Sequence, residues 1–158
     1  MASHHLTKNV FVNTYSADSL PPGPRLDKPC AYVTNTANWN KHGEHWVCFF
    51  FPKKGLPEYF DSFGLDVPLS FREFLGSNYL FKKNNSMIQS PFTSTCGQHV
   101  IYFIWQRCRG MTMEQILKLY CDSDFLLNDV VVNALVKQNF ALNVEVIDIK
   151  FIKTQLSM

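Results

Sequence analysis

HWVCFFFPKKGLPEYFDSF, residues 45–63, contains two apolar runs with a turn between them. The first run, residues 45–51, is almost continuously apolar, which is typical of a strand that is buried on both faces. The second run, residues 58–62, is shorter and also has the composition of a strand. Two lysines and a glycine at 53–55 are typical turn residues. The pattern predicts an antiparallel hairpin.

The hairpin also predicts which side chains meet beyond its open end. If it turns about residues 53–54, opposed residue numbers sum to about 106 to 108, so that His45 lies across from Asp61 or Phe63. Side chains alternate along a strand, which places these residues on one face. A carboxylate beside a histidine can orient the ring and stabilise its charged form. Alternatively, Asp61 only begins a turn.

Strand-like segments precede this hairpin, and helical periodicity follows it. A short apolar stretch at 10–12 and a strand at 30–34 flank a proline-rich loop. A strong helical pattern covers 96–109 and ends at Gly110. Other elements are predicted as helices at 69–75, 112–120 and 124–139 and a short strand at 86–89, while 144–152 fits a strand or a helix. The order of elements predicts an α+β fold, a mixed sheet packed against helices.

Composition excludes several classes of protein. The chain has 158 residues, 46% of them hydrophobic, which predicts one domain over 10–158 with a substantial core, after a loose N-terminus at 1–9. A net charge of +2 is too small for a dedicated nucleic-acid binder. The apolar runs are too short to cross a bilayer, and no secretory signal is expected. Five cysteines without framework spacing favour reduced thiols in an intracellular protein.

Cys96 is the most informative position for chemistry. It follows Thr93-Ser94-Thr95, a cluster of typical N-cap residues, and opens the strong helix. A thiol at a helix N-terminus has a lowered pKa. Gly97 leaves the backbone N–H groups of the first turn accessible to an oxyanion, and Gln89 could add an amide donor. The alternative is a buried structural cysteine that happens to begin a helix.

Two other interpretations of these polar residues compete with a thiol–imidazole pair. His42, His45, Cys48 and Cys96 could bind zinc, but they lack compact ligand spacing, and His45 and Cys48 point to opposite faces of a strand. His99, three residues after Cys96, could be the base. It lies within the apolar helical pattern, however, which favours a satisfied, half-buried histidine. No metal site is therefore expected.

The joint order of these motifs resembles one family. The matching segments are residues 33–37, 43–46, 60–64 and 89–97, with a weaker match at 12–21, so that the resemblance covers about 10–110. They resemble the adenain-type cysteine proteases, which mature particles of adenoviruses and of Polinton (Maverick) elements and are related to SUMO-specific proteases. The resemblance implies a papain-like/adenain-like fold and a cysteine endopeptidase.

The resemblance also implies roles for individual residues. It makes Cys96 the nucleophile, His45 the base and Asp61 the residue that orients His45. The oxyanion hole would contain Gln89 and the backbone N–H of Cys96 or Gly97. Substrate would contact Asn35 and Trp46, the latter enclosing a channel that admits only glycine. Ordinary core packing is the alternative for Trp46.

The implied substrates are capsid or core precursors cleaved after glycine during particle maturation. An isopeptidase that removes a ubiquitin-like modifier would use the same residues and is the second hypothesis. An inactive protein that serves as a binding module is the third. Adenoviral members usually have Glu where this chain has Asp61. No cysteine lies between 48 and 96 to hold a disulfide-linked peptide cofactor, and the small charge gives little support to DNA activation. We expect a monomer without cofactor, in the nucleus or cytoplasm of a host cell or in a virion.

Overall fold

The strands form one mixed sheet. The computed structural model describes residues 1–25, 27–41, 44–76 and 80–140. Five strands lie in sequence order across the sheet, with β2–β3 and β3–β4 antiparallel and both outer pairs parallel. The strands are β1 Phe11–Tyr15, β2 Cys30–Asn35, β3 Trp46–Phe51, β4 Glu58–Phe60 and β5 Lys82–Lys83. The expected α+β architecture with a mixed sheet is confirmed.

The central strand β3 is covered on both faces, as its continuous apolar run predicts. Cys48 and Phe50 belong to a core cluster that includes Phe103 of the long helix. Phe49 and Phe51 belong to a second cluster on the other face. Alternation along the strand therefore divides one aromatic run between two cores.

The β3–β4 register agrees with the prediction from the hairpin. Cys48 pairs with Phe60 and Phe49 with Tyr59, so that opposed residue numbers sum to 108. If this register is continued, His45 lies across from Phe63, and Asp61 directly follows the last pair of the ladder. Backbone pairing therefore brings the two side chains to the same end of the sheet but does not constrain their angles as a continuous strand would.

Within the described ranges, four helices accompany the sheet. They are α1 Arg72–Leu75, preceded by a 3-10 turn Leu69–Phe71, then α2 Cys96–Cys108, α3 Met113–Leu117 and α4 Phe125–Phe140. Helix α2 packs between β3 and α4, and the positive φ of Gly110 follows its end. Among the described residues, no helix is long and apolar enough to span a membrane.

Two predicted elements differ from the structure. Residues 86–89 form no strand; the backbone N–H groups of Ile88 and Gln89 both donate to the carbonyl of Ser62 instead. The neighbouring Lys82–Lys83, a basic pair whose simplest interpretation from the sequence is a solvated loop, forms β5. The side chain of Lys82 forms a salt bridge with Glu114, and that of Lys83 forms one with Asp66. A two-residue strand carries no readable periodicity, so only its tertiary pairing identifies it.

The predicted helix at 69–75 is shorter than its apolar pattern suggests. Pro68 precedes the 3-10 turn, and α1 adds only one α-helical turn. The sequence offers Ser70 and Glu73 as a capping box, but no side chain caps either start, so this box does not form. Residues 144–152 lie outside the described part of the chain.

The first nine residues, expected to be loose, form successive turns against the domain. Thr7 is fully buried, and its hydroxyl donates to the carbonyl of Met1 at 2.7 Å. The ring of His4 lies 4.4 Å from that of Phe140. These contacts pack the terminal turns against the end of α4.

Candidate active site

Cys96 is the first residue of α2 and is 8% exposed. Burial raises the pKa of its thiol, but the hydrogen bond with His45, backbone N–H groups of Trp46 and Gly97, and the charge of His45 together lower it below its usual value. The expected side-chain cap is absent: Thr95 occupies the N-cap position without accepting a hydrogen bond. Backbone N–H groups near the helix start are therefore directed at the sulfur.

His45 bridges Asp61 and Cys96. Its Nε2 lies 2.7 Å from Oδ1 of Asp61, which leaves Nδ1 available to Cys96. Burial lowers the pKa of the imidazole, but Asp61 and Cys96 outweigh it through hydrogen bonds and charge, and the pKa rises to about 9. The ring also stacks on Phe63, with centroids 4.8 Å apart.

The opposite pKa shifts of the thiol and the imidazole have one cause. Each charged form stabilises the other across their hydrogen bond, so the shifts belong to the pair. A raised imidazole pKa and a lowered thiol pKa both favour the thiolate–imidazolium state near neutral pH. The arrangement can therefore supply a nucleophile with its proton already transferred to a neighbouring base.

Asp61 is 1% exposed and is held from several directions. Its Oδ1 also accepts the N–H of Phe63 at 2.7 Å. Asn84 clamps its backbone, accepting the Asp61 N–H at 3.0 Å and donating to the Asp61 carbonyl at 2.6 Å. No local pattern marks Asn84, because its partner is 23 residues away. The carboxylate thus has little freedom to move away from His45.

Gln89 is 1% exposed beside the loop that precedes Cys96. Ser62 donates its hydroxyl proton to Oε1 of Gln89 at 2.6 Å, and Nε2 of Gln89 donates to the carbonyl of Thr93 at 3.1 Å. Nε2 also lies 3.5 Å from the hydroxyl oxygen of Thr93. Because both acceptors belong to Thr93, one amide proton can serve them and the other can donate to an oxyanion. The sequence patterns single out Asp61 but not its neighbour Ser62, whose partner Gln89 is 27 residues away.

The glycine of the segment 60–64 has a steric explanation. Gly64 has φ +68°, and a Cβ there would lie 2.8 Å from the backbone carbonyl carbon of Ser86. The turn after Asp61 therefore packs directly on the segment that leads to Gln89. Only glycine permits both this backbone conformation and this approach.

Trp46 and Gly97 lie in contact distance at the start of α2. A Cβ on Gly97 would be 3.6 Å from Cδ1 of Trp46, an ordinary van der Waals separation. Strand β3 begins only at Trp46, so His45 lies outside the regular alternation of the strand. For this reason both neighbouring side chains, His45 and Trp46, reach the N-terminus of α2.

A cavity of about 300 Å³ is lined in part by Trp46. Its lining includes Tyr15, Trp39 and the 5%-exposed Asn35. Oδ1 of Asn35 accepts the N–H groups of Ala37 at 2.9 Å and Glu44 at 3.1 Å, whereas its Nδ2 has no partner among the described residues. Asn35 thus organises the loop before His45 and retains an unused donor.

The structure separates His99 from this group of residues. His99 is completely buried, with Nε2 2.7 Å from Oδ1 of Asp129 and Nδ1 3.3 Å from the hydroxyl of Tyr120. Both ring nitrogens therefore have partners away from Cys96. This agrees with a satisfied core histidine, although burial is complete where the sequence suggested half-burial.

The zinc alternative gains no support in the described ranges. Cys48 is fully buried within β3, and no cluster of three or more potential ligands occurs among the residues that the structure describes. His42 lies outside them.

Comparison with known proteins identifies only distant similarities. No family model matches the sequence, and no curated protein does. Among solved structures, the selenomethionine crystal structure of ASFV pS273R protease matches at 22% identity and TM-score 0.44, covering 64% of this chain and 43% of the protease. Another structure of ASFV pS273R protease matches at 24% identity and TM-score 0.39, with coverages of 54% and 36%. The matched part therefore spans less than half the length of that protease.

Proposed function

We propose that this chain is a cysteine-type endopeptidase, a thiol protease with Cys96 as nucleophile, His45 as base and Asp61 as the residue that orients His45. The observation that carries the proposal is the 2.7 Å contact between His45 and Asp61, together with the proximity of Cys96, which raises the pKa of His45 while its own pKa is lowered. The adenain-like order of motifs supports the same roles.

Catalysis begins with attack of the Cys96 thiolate on the carbonyl carbon of the scissile bond, which forms a C–S bond and an oxyanion. The backbone N–H of Cys96 or Gly97 and the free amide proton of Gln89 stabilise the oxyanion. The His45 imidazolium then gives its proton to the leaving nitrogen, and the C–N bond breaks. A water, deprotonated by His45, hydrolyses the thioester and regenerates the thiol–imidazole pair.

Substrate preference for glycine at the cleaved position follows from the proposed role of Trp46. The indole lies against Gly97 at the start of α2, so a side chain on the residue next to the scissile bond would meet it. Asn35 offers its unpaired Nδ2 to a substrate carbonyl in the adjoining cavity. Together with the family resemblance, this supports cleavage after glycine in viral or virus-like capsid or core precursors.

A ubiquitin-like modifier ending in glycine would satisfy the same contacts. The deconjugase function therefore remains the second candidate, distinguished by substrate rather than by site chemistry. We further propose that the protein acts as a monomer, without a cofactor, inside a host cell or a virion. Activation by a peptide or by DNA is the least supported part of the resemblance.

Selective labelling tests the nucleophile without knowledge of the substrate. Limited iodoacetamide at mildly acidic pH should modify Cys96 before the other four cysteines, because only the thiolate reacts. Cys121 is a demanding control, since it is more accessible and hydrogen bonds with Ser123 and with the backbone N–H of Asp124 also lower its pKa. Cys108 is a second control, because burial raises its pKa to about 11. Equal labelling of Cys96 and Cys108 would refute the assignment.

Turnover assays then separate the candidate substrates. Peptides containing Gly-Gly and a modifier-fused protein should be compared on the wild-type chain and on Cys96→Ala, which removes the nucleophile. Hydrolysis of the peptides that disappears in Cys96→Ala supports the endopeptidase. Hydrolysis of the fusion alone would favour the deconjugase, and no Cys96-dependent hydrolysis of either would contradict the protease proposal.

A further inference from the structure

A second histidine–carboxylate pair lies in the core behind the site. Asp129 of α4 is completely buried, and its Oδ1 lies 2.7 Å from Nε2 of His99. The ring of His99 stacks on Tyr120, with centroids 5.6 Å apart, and the Tyr120 hydroxyl lies 3.3 Å from Nδ1. Neither member of the pair contacts the His45–Asp61 group, so the proposed mechanism leaves it unexplained.

The other oxygen of Asp129 is bonded to the loop that carries Cys96. Oδ2 accepts the backbone N–H of Ser90 at 3.1 Å and the hydroxyl proton of Thr93 at 2.7 Å. Thr93 Oγ1 in turn lies 3.1 Å from the hydroxyl oxygen of Thr95. A single carboxylate therefore binds the loop at two points between Gln89 and Cys96.

These contacts bracket the nucleophile along the chain. Thr93 precedes Cys96 by three residues, and His99 follows it by three residues on the first turn of α2. Asp129 joins both, so any displacement of the loop relative to α2 must break a buried, charge-assisted hydrogen bond. The same loop contains the Thr93 carbonyl that receives the Gln89 amide proton, which connects the carboxylate to the proposed oxyanion donor as well.

We propose that Asp129 is a positioning residue that holds Cys96 and Gln89 in their reactive geometry by tying the loop at 90–95 to His99. The inference rests on the proposed function, since it concerns the placement of the same nucleophile. Its physical basis is the steep dependence of the thiolate–imidazolium pair on distance, because a displaced sulfur loses its hydrogen bond with His45 and regains an ordinary thiol pKa.

The experiment measures the rate of Cys96 alkylation by iodoacetamide as a function of pH in the full chain. Asp129→Asn removes the negative charge. Thr93→Val keeps a similar shape but removes the hydroxyl that donates to Asp129, together with the weaker contacts of that hydroxyl with Thr95 and Gln89. Val132→Ala is the matched control, because Val132 is a buried α4 residue, 2% exposed, with an apolar side chain that can make no hydrogen bond to the loop. Fractions of folded protein are measured alongside, and rates are expressed per folded molecule.

We expect Asp129→Asn and Thr93→Val to move the alkylation midpoint upward by about one pH unit, a roughly tenfold slower reaction below the midpoint. Val132→Ala should lower stability without moving the midpoint. With a peptide substrate, Asp129→Asn and Thr93→Val should both lower kcat with little change in KM. If Asp129→Asn does not fold, the alkylation midpoint of Thr93→Val decides whether the bond between the loop and Asp129 positions Cys96.

Two failures are distinguishable. If Cys96 of the wild-type chain shows no preferential labelling, the proposed function fails and the positioning role fails with it. If wild-type Cys96 is preferentially labelled but Thr93→Val leaves its midpoint unchanged, the protease proposal stands and the role of Asp129 is overturned. A shift in Val132→Ala equal to that in Thr93→Val would also overturn it, because the effect would then reflect general loss of packing.

Discussion

Replacing Asp61 by Asn should remove most of the stabilisation that the His45 imidazolium gains on folding. The pKa of His45 rises from 6.5 to about 9 against the opposing effect of burial, and this rise corresponds to roughly 3 kcal/mol of preference for the charged ring. Asp61 and Cys96 share this preference, and Asp61 supplies the larger part through its hydrogen bond and charge. We therefore assign about 2 kcal/mol to Asp61.

A Cys96→Ala background isolates the contribution of Asp61, since it removes the coupled titration of the thiol. Because folding raises the pKa of His45, the stabilisation is complete below the unfolded value near 6.5 and is lost as pH rises through the folded pKa. Asp61→Asn should thus destabilise this background by about 2 kcal/mol more at pH 6 than at pH 9.5. Urea unfolding at the two pH values measures the difference.

Asp66→Asn in the same background is the matched control. Asp66 is an exposed carboxylate paired with Lys83, and a carboxyl group whose pKa Lys83 lowers does not titrate between pH 6 and 9.5. Its stability change should be the same at both values. A proton titration of the His45 ring by NMR provides a direct check. The reasoning is refuted if that pKa lies at or below 6.5, or if Asp61→Asn has a pH-independent effect.

Three further outcomes follow from the site and its supports. Gln89→Ala should lower kcat by roughly 10²–10³ with little change in KM; an unchanged kcat would remove Gln89 from the oxyanion hole. Gly64→Ala should cost at least about 1 kcal/mol more in urea unfolding than Gly55→Ala, because both have positive φ but only Gly64 faces a 2.8 Å overlap; equal costs would contradict the packing argument. With peptides carrying Gly, Ala, Ser or Val before the scissile bond, wild type should prefer Gly and Trp46→Ala should relax that preference; equal kcat/KM for Gly and Val in wild type would refute the channel.

The sequence alone was enough to predict the central hairpin and the long helix. Continuous apolarity over 45–51 indicates burial on both faces, and a period of two relates His45 to Asp61 once the turn is located. The helical pattern after Cys96, with Gly110 beyond its end, likewise gives α2 nearly the bounds that the structure has. These features are readable because each depends on periodicity within a short segment.

Only the tertiary structure shows how the site is supported. Ser62 meets Gln89 across 27 residues, Asn84 meets Asp61 across 23, and Thr93 meets Asp129 across 36. Each contact is a single polar pair between segments without regular structure or on different elements, so no periodic pattern encodes it. The same applies to the two-residue strand β5, which exists only because Glu58 and Tyr59 pair with it. Periodicity places an element, whereas the geometry of buried polar side chains depends on which distant segment packs beside them.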